Sequence, residues 1–433
     1  MESKITSREY IKPSSPTPAH LRTYKLSMID QTCAPHFIPI LLLFPPRPDN
    51  DRHRTTEQLK YSLSIILTRF YPFAGRANQD NHSVDCSDAG VDFTVAEFPG
   101  HLHDVINSSQ DLLLHLFPMK LDFEYVKAQS GVVFVQVNYF ECGAIAVATL
   151  ASHQVADLTT MVNFLKAWAG TNRGSKQEVC PNYISQILFP HKNELLGQKV
   201  SNSGSTTGKW GMRRYVFDSI AISSLKAKTG LKNPTRVEAV SAFLWKCFME
   251  ASLKNGKSDS VIVWPVNLRR RAQPPLGMDV FGNCTASTTA SCRNDDGGVY
   301  KDLARKLRES VARIDGEYVT RMQGDGGFLG YQVNMQSVVA DLSGGADPLL
   351  WSSWCNIGIY DIDFGWGKPV WVTTAFDHSR SEYANLIILL DTSAGDGIEA
   401  CVCLGEKYMQ VFDAIDELRD LEPSPLDVGS LMN

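Results

Sequence analysis

The chain has 433 residues, of which 43% are hydrophobic and 21% are charged, and its formal net charge at pH 7 is −5. This composition is that of an ordinary globular protein, and it argues against a disordered, collagen-like or membrane-spanning chain. The one dense basic run is the triplet 269–271, which argues against nucleic acid as the main partner. Because the length exceeds what one hydrophobic core usually serves, we expect two domains of roughly 200 residues each.

The cysteines and the N-terminal residues indicate neither export nor a metal site. The ten cysteines are spread along the chain without a CxxC pair or zinc-type Cys/His spacing. Residues 1–20 lack the apolar core of a signal peptide, and the apolar run 37–44 is too short to cross a bilayer. We therefore expect free thiols, no bound metal, no membrane partner and a cytoplasmic location.

The first half of the chain predicts a helix followed by strands. Thr56 is a candidate N-terminal cap for a segment with apolar residues at helical spacing, and Pro72 ends that segment. The stretch 131–153 then reads as two β-rich runs that are joined through residues 141–143. The second of these runs ends at His153, directly before another helical pattern.

His153 is followed four residues later by Asp157, and each of them has a structural and a functional reading. Asp157 precedes apolar residues at helical spacing, so its carboxylate can cap that helix, which is worth about 1 kcal/mol, and Gly170 can close it. The histidine is either a hydrogen-bonded structural residue or an imidazole that removes a proton. The sequence contains no GxSxG, Walker or HExxH motif. Because His153 has no nucleophilic Ser or Cys near it in sequence, its functional reading is a general base that acts on a bound substrate.

The second half begins with a change in composition. Residues 192–211 are rich in Gly, Ser and Thr and lie near the midpoint, so they are the best candidate for a linker. Beyond them, Thr235 and Glu238 have the spacing of a capping box ahead of a helical pattern. Residues 261–271 read as a strand that leads into the basic triplet.

The end of the chain predicts a hairpin between loops. Residues 385–404 look like two strands around a turn that contains SAGDG. The glycine-rich stretch 324–330 reads as a loop, and residues 427–433 read as a solvated tail. Strands and helices therefore alternate irregularly through both halves, which indicates an α/β class without fixing a topology.

Two motifs resemble the signatures of a known family. SHQVAD contains the pattern HxxxD at His153 and Asp157, and DFGWG spans residues 363–367. Together with further matching segments, such as YPFAGR at 71–76 and FGNC at 281–284, they resemble the plant BAHD acyl-CoA-dependent acyltransferases over nearly the whole chain. Within that family the sequence looks most like the clade of vinorine synthase and related alkaloid acetyltransferases.

The resemblance implies an α/β fold with two similar chloramphenicol-acetyltransferase-like domains. Each would be a mixed β-sheet flanked by helices, and a crossover loop would join the two with a solvent channel between them. Residues 1–200 and about 363–388 would form the N-terminal domain that carries HxxxD. Residues 201–211 would form the crossover linker, and residues 212–362 with about 389–433 the C-terminal domain.

The resemblance also assigns roles to individual residues. His153 would be the catalytic base, reached by CoA from one face and by the acceptor from the other. Asp157 would not orient the histidine but would pair with an arginine, for which Arg269 and Arg271 are the matching candidates. Asn283, in FGNC, would lie near the channel.

The same resemblance extends to the support of the site and to the reaction. Asp363, Gly365, Trp366 and Gly367 of DFGWG would be structural, since glycines and packed aromatic rings suit a tight turn. The implied enzyme is a monomer that transfers acetyl from acetyl-CoA, a co-substrate and not a bound cofactor, to a small-molecule alcohol, most like an alkaloid alcohol of plant specialised metabolism. Two alternatives stay open, namely a donor that is malonyl-CoA or an aromatic acyl-CoA, and a catalytically silent binding relative.

Overall fold

The computed structural model describes residues 2–34, 36–47, 51–78, 82–106, 110–118, 130–196, 206–294, 299–376, 382–419 and 421. The strands of this part of the chain are β1 (Lys4–Ile11), β2 (Thr23–Lys25), β3 (Phe37–Phe44), β4 (Arg76–Ala77), β5 (Ser83–Asp85), β6 (Val91–Phe98), β7 (Val133–Phe140), β8 (Ile145–Ser152), β9 (Thr206–Thr207), β10 (Trp210–Phe217), β11 (Asp259–Asn267), β12 (Thr285–Arg293), β13 (Asp347–Ser353), β14 (Trp371–Thr373), β15 (Glu382–Tyr383), β16 (Leu386–Asp391) and β17 (Ile398–Gly405). The α-helices are α1 (Met28–Thr32), α2 (Arg52–Arg69), α3 (Leu102–Ile106), α4 (Gln110–Leu114), α5 (Leu158–Asn172), α6 (Ser185–Leu188), α7 (Ser219–Lys228), α8 (Arg236–Lys254), α9 (Tyr300–Ala312), α10 (Gly316–Arg321), α11 (Gly327–Ser343), α12 (Glu406–Phe412) and α13 (Asp416–Arg419).

The first half of the chain builds a mixed sheet of six strands in the order β1-β6-β7-β8-β3-β14. Strands β6 and β7 run parallel, and the other neighbours in this sheet run antiparallel. Every residue of β3 is buried, which explains why its sequence, FIPILLLF, is apolar without alternation. Helices α2 and α5 contribute apolar side chains to the core of this sheet.

The second half builds another mixed sheet of six strands in the order β10-β17-β16-β13-β11-β12. Here β13 runs parallel to both β11 and β16. The long helix α8 provides much of the apolar core against this sheet, and α9 and α12 pack against α8. The protein therefore has two mixed-sheet domains flanked by helices, and the predicted α/β class is confirmed.

Strand pairing shows where the chain passes between the sheets. Strand β14 lies late in the chain but pairs with β3, with Trp371 opposite Leu43, and so joins the first sheet. Two expected boundaries need correction. Trp210, expected in the linker, already pairs with Gly405 in the second sheet. Residues 386–388, expected in the N-terminal domain, are part of β16 and pair within the second sheet.

The N-terminal cap of α2 was predicted wrongly. The helix begins at Arg52, and the Asp51 side chain accepts a hydrogen bond from the amide of Arg54 at 2.9 Å. Thr56 lies inside the helix, where its hydroxyl is 2.8 Å from the hydroxyl of Tyr139. Both residue types can cap a helix, so residue type alone does not decide between them.

Other local predictions have mixed outcomes. The β7–β8 hairpin and the β16–β17 hairpin are confirmed by their antiparallel pairing. The capping box of Thr235 and Glu238 is confirmed, since each side chain accepts a hydrogen bond from the other residue's amide. Gly170 lies within α5 and does not close it. The glycine-rich stretch 324–330 is only partly a loop, because α11 begins at Gly327.

Several expected features concern what the chain lacks or where it ends. All ten cysteines have free thiols. Among the described residues, no helix is long and apolar enough to cross a membrane, and no group of three or more His, Cys, Asp or Glu side chains is placed to hold a metal ion. The expected tail at 427–433 lies outside the described residues.

Candidate active site

The HxxxD segment forms the tight turn between β8 and α5. The amide of His153 donates to the carbonyl of His36 at 2.8 Å, which extends the pairing of β3 and β8 by one residue. The amide of Ala156 donates to the carbonyl of Ser152 at 3.2 Å and closes the turn. Asp157 then stands at the N-terminal cap of α5. The backbone on both sides of His153 is therefore fixed by main-chain bonds.

The Asp157 carboxylate binds three groups, and the His153 ring is not one of them. It accepts the amide of Thr160 at 2.9 Å, as a cap does, and the amide of Cys284 at 3.1 Å. It also accepts two bonds from the Arg269 guanidinium, at 2.6 and 3.1 Å. Within the described residues these bonds account for the carboxylate, so a triad in which Asp157 orients the histidine finds no support in this geometry.

Burial by itself would raise the pKa of the Asp157 carboxyl. The charge and the hydrogen bonds of Arg269, with those of the two amides, outweigh burial and hold that pKa below its ordinary value. The carboxylate is consequently ionised near neutral pH. A carboxylate and a guanidinium that are both buried stabilise the fold only while they remain paired.

Of the two candidate arginines, Arg269 makes this pair. Its side chain is fully buried, and its remaining donors reach the carbonyls of Val280 and Gly282 at 2.8 and 3.1 Å. Arg271 does not contact Asp157. It donates instead to the carbonyls of Val311 and Ile314, because the turn after β11 directs it toward α9.

Asn283 lies directly beside the turn that holds His153. Its Nδ2 donates to the carbonyl of His153 at 2.7 Å and to Oδ1 of Asp30 at 2.8 Å. The backbone amide of Asn283 also donates to Oδ1 of Asp30, at 2.7 Å. Asn283 thereby links the carbonyl side of His153 to the first turn of α1.

Asp30 holds Asn283 in place from the opposite side. It belongs to a capping box in α1, in which Oδ2 accepts the amide and the hydroxyl of Ser27 at 3.0 and 2.7 Å. Burial raises the pKa of Asp30 to about 6, although the hydrogen bonds from Asn283 and Ser27 work in the opposite direction. Hydrogen bonds through Asp30 and Asn283 thus connect Ser27 to the carbonyl of His153.

The ring of His153 is set against a second imidazole. The centroids of the His36 and His153 rings are 5.0 Å apart, with their planes at 65°. Burial lowers the pKa of His153. The backbone of His153, Asp157 and Asn283 each raise that pKa, but they offset the effect of burial only in part. Nδ1 of His153 and Oδ1 of Asn283 are both buried, and neither has a hydrogen bond among the described residues. These two atoms are a complementary donor and acceptor.

The DFGWG segment forms a closed turn at the other end of α5. Oδ1 of Asp363 accepts the amides of Gly365, Trp366 and Gly367 at 2.7, 3.0 and 2.9 Å. Gly365 and Gly367 have φ values of 96° and 88°, a backbone conformation that favours glycine. The glycines are thus required by the turn that the aspartate holds.

Aromatic packing fixes this turn against the first domain. Phe364 packs edge-to-face on Trp168 at 5.0 Å, and Asn172 donates to the Phe364 carbonyl at 2.7 Å. Trp168 and Asn172 lie well along α5 from Leu158, so these contacts are roughly 15 to 21 Å along the helix from the turn that holds His153. The described contacts of DFGWG are therefore with the C-terminal half of α5, away from His153.

Three residues of the site, Ser27, Asp30 and His36, were missed by the sequence reasoning. Ser27 and Asp30 have the spacing of a capping box, so that pattern could have located α1, but it carries no sign that Asp30 also holds Asn283. His36 directly precedes the apolar run of β3, just as His153 directly follows that of β8. Pairing the two runs antiparallel would have brought these histidines together.

The chain is similar to known proteins both in sequence and in structure. A family model described as the Transferase family matches residues 1–418. A limonoid 7-O-acetyltransferase of Citrus sinensis is 37% identical over 464 residues, which cover 98% of this chain and 100% of that protein. Stemmadenine O-acetyltransferase of Catharanthus roseus is 35% identical, with 95% of this chain and 96% of that protein covered.

Solved structures give the same picture. The crystal structure of vinorine synthase has a TM-score of 0.85 at 32% identity, covering 98% of this chain and 99% of that chain. The crystal structure of F. graminearum TRI101, complexed with coenzyme A and T-2 mycotoxin, has a TM-score of 0.73 and covers 92% of this chain and 98% of that chain. At 15% identity, the latter likeness shows the fold alone.

Proposed function

The chain belongs to the Transferase family of BAHD acyltransferases, and we propose that it transfers an acetyl group from acetyl-CoA to a hydroxyl of a plant specialised metabolite. His153 is the general base in this proposal. The observation that carries it is the position of His153, whose amide and carbonyl are both hydrogen-bonded and whose imidazole has a pKa lowered by burial. A neutral imidazole is the form that can accept a proton.

The proton then moves as follows. The acceptor oxygen attacks the thioester carbonyl carbon while a ring nitrogen of His153 takes the hydroxyl proton. The tetrahedral intermediate breaks its carbon–sulfur bond, the imidazolium returns the proton to the departing CoA sulfur, and the ester is released. General-base assistance of this kind is typically worth roughly 10²- to 10⁴-fold in rate. The rest of the acceleration comes from alignment of the two substrates and from donors to the oxyanion.

Asn283 decides which ring nitrogen is the base in this mechanism. Its buried Oδ1 is an acceptor without a partner among the described residues, and the buried Nδ1 of His153 is the complementary atom. A hydrogen bond from Nδ1–H to that oxygen leaves the lone pair on Nε2. Asp30 supports this arrangement, because it fixes the Asn283 amide through Nδ2.

The acceptor is a bulky alcohol, either an alkaloid or a neutral terpenoid. Alkaloid alcohols are favoured by the likeness to stemmadenine O-acetyltransferase and to vinorine synthase. A limonoid-type alcohol is favoured by the higher identity to limonoid acetyltransferases and by one feature of the site. The carboxylates of Asp30 and Asp157 are both engaged by protein donors, so neither is free to pair with a cationic amine.

The domain boundaries, the cytoplasmic location and the monomeric state are also proposals. Strand pairing favours a C-terminal domain that begins at β10, with the segment around β14 returned to the first domain. The ten free cysteines fit a reducing compartment. Coenzyme A bound to TRI101, a protein of the same fold, supports acyl-CoA as the co-substrate.

The test compares the wild-type enzyme with H153A on acetyl-CoA and a panel of alkaloid and limonoid alcohols, with ester formation followed by mass spectrometry. We expect H153A to lose roughly 10²- to 10⁴-fold in kcat with its circular dichroism spectrum unchanged. H20A, which removes an exposed histidine in a short 3-10 turn, is the matched control and keeps wild-type turnover. An H153A variant within tenfold of wild type would refute the base assignment. Binding of the alcohols without ester formation from any thioester, malonyl-CoA included, would identify a silent relative.

A further inference from the structure

His36 and His153 occupy equivalent positions at the ends of neighbouring antiparallel strands. The last ladder pair of β3 and β8 is Phe37 with Ser152, so the two histidines form the next pair beyond the ladder. The hydrogen bond from the His153 amide to the His36 carbonyl, at 2.8 Å, continues the pairing. Side chains of directly opposite residues lie on the same face of a sheet, which is why the two rings meet.

The contact between these rings has the geometry of an attractive aromatic pair. Their centroids are 5.0 Å apart and their planes cross at 65°, an edge-to-face arrangement. Two protonated imidazoles at this distance would repel each other. Burial, and after it the neighbouring His153 ring, lower the pKa of His36 to about 3. His36 is therefore neutral throughout the pH range in which an enzyme of this kind works.

Asn283 and Asp157 are two other side chains that affect His153. Asn283, with Asp30 behind it, holds the carbonyl of His153, and Asp157 at the start of α5 is engaged by Arg269. His36, the residue directly before β3, packs its ring against the imidazole itself. It combines that contact with a main-chain bond to the same residue.

We propose that His36 is a positioning residue for the reaction, whose ring packs edge-to-face on the His153 imidazole, fixes its orientation and keeps water from that side. The inference rests on the proposed role of His153 as general base. The contact through which His36 acts in this proposal is the packing of its aromatic ring on His153. A phenylalanine at position 36 can fill the same place, whereas an alanine opens a cavity beside the base.

The kinetic test compares H36A with H36F, and uses H191F as the control. His191 is also half of an edge-to-face histidine pair, at 6.3 Å from His82, and its Nδ1 is bonded to the Leu26 carbonyl, outside the site. We expect H36A to lower kcat by about 10- to 100-fold, since a small misplacement of a base has effects of that size. The KM values for both substrates should stay within about threefold, as uniform binding is untouched. H36F and H191F should keep wild-type kcat.

A second measurement does not depend on turnover. Diethyl pyrocarbonate modifies neutral imidazole, so its rate of reaction at His153, followed by peptide mass spectrometry across pH, reports the protonation of that ring. In H36A, water reaches the ring and the penalty on its charged form falls, so the titration of His153 should move to higher pH. In H36F it should stay at the wild-type position. The acid limb of kcat/KM should move in the same direction in H36A.

Each outcome decides between the explanations. If H36A titrates and turns over like wild type, His36 does not position the base. If H36F loses as much kcat as H36A, the nitrogens of His36 are needed and the packing role is wrong. If H36A raises the acceptor KM and leaves kcat unchanged, His36 belongs to the acceptor site. Failure of the proposed function is distinct from all three, because the wild type would then show no transfer while the His153 titration still responds to H36A.

Discussion

At the scale of single residues, the orientation and the pKa of His153 depend on its neighbours in the fold, and the HxxxD motif alone does not contain these neighbours. Its carbonyl, its amide and its ring contact Asn283 and His36, while Nδ1 is buried and has no hydrogen bond within the part of the chain that the structure describes. An unpaired buried polar atom costs about 1–3 kcal/mol. Catalytic hydrogen bonds are often loose before substrates bind, so closure onto the Asn283 oxygen is the expected change on binding.

The pH dependence of the reaction follows from the buried ring. Burial disfavours the imidazolium, so the pKa of His153 lies below the ordinary histidine value of about 6.5. The base is active when neutral, so activity is complete above the folded-state pKa and is lost as the pH falls through it. We therefore expect the acid limb of kcat/KM, measured with an acceptor that has no titratable group, to lie below pH 6.5.

Acid unfolding could imitate that limb, so tryptophan fluorescence is recorded over the same pH range as a control. Asp30, whose pKa burial raises to about 6, titrates close by and holds Asn283. A limb centred at 6.5 or above, with unchanged fluorescence, would contradict the lowered pKa of His153.

At the scale of elements, the pair of Asp157 and Arg269 ties the start of α5 to the loop between β11 and β12. The same carboxylate caps α5, so two contributions to stability overlap in one side chain. They differ in size. An N-terminal cap is worth about 0.5–2 kcal/mol, whereas a buried charge that has lost its partner costs about 3–5 kcal/mol.

The variant D157N separates these contributions, because asparagine still caps a helix but leaves Arg269 without a counter-charge. We expect D157N to lower the free energy of unfolding in urea by about 3 kcal/mol, and kcat to fall with it as the His153 turn loosens. D218N is the matched control, since Asp218 caps α7 through the amide of Ala221 at an exposed position. It should cost under about 1 kcal/mol. Equal losses in the two variants would show that the cap and not the ion pair matters at Asp157.

Strand β12 lies at an edge of the second sheet, where its outward carbonyls are open to pairing with another chain. Three alternate carbonyls are covered by side-chain donors. The Asn334 side chain donates a hydrogen bond to the carbonyl of Ser287 at 3.1 Å, and Lys306 donates to the carbonyl of Ser291 at 2.8 Å. The carbonyl of Thr289, which lies between them, accepts a hydrogen bond from Arg313, the residue directly after α9.

Removal of two of these side-chain donors should allow the edge of β12 to pair with another copy of the chain. In K306A/R313A the carbonyls of Ser291 and Thr289 lose their partners, so we expect the apparent mass in sedimentation velocity to rise with protein concentration. The control variant is K301A/R305A, which removes two positive charges from the same helix without touching β12. If both variants sediment like the wild type at every concentration, the donors do not protect the edge.

The sequence predicted elements whose determinants are local. The spacing of Thr235 and Glu238 contains the whole capping box of α8, and the apolar runs on either side of residues 141–143 contain the β7–β8 hairpin. Arg269 and Arg271 could not be separated in this way. Both follow β11 in a basic triplet, and the choice depends on how the second domain lies against α5, which no local pattern encodes.

At the scale of the whole molecule, a buried cluster of three side chains connects the two sheets. Arg214 of β10 makes two bonds of 3.0 Å to Glu399 of β17, both in the second sheet. The indole of Trp371, from β14 of the first sheet, donates to both Glu399 oxygens at 3.2 Å. The guanidinium of Arg214 lies 4.2 Å from the centre of that indole. Together with Asp157 and Arg269, this cluster joins the domains through charges that need their partners.

The neighbouring Arg213 makes an equally well-formed pair with Asp413, at 2.8 Å, but both of those side chains are about 40% exposed. The two arginines therefore isolate the effect of burial. We expect R214A to lower the free energy of unfolding by about 3–5 kcal/mol, because Glu399 loses its counter-charge in a buried place. R213A should cost at most about 1 kcal/mol, as exposed pairs do. Because the Arg214 cluster spans both sheets, R214A should also broaden or split the calorimetric transition. A single shifted transition, with equal losses of stability in R213A and R214A, would mean that this cluster does not couple the two domains.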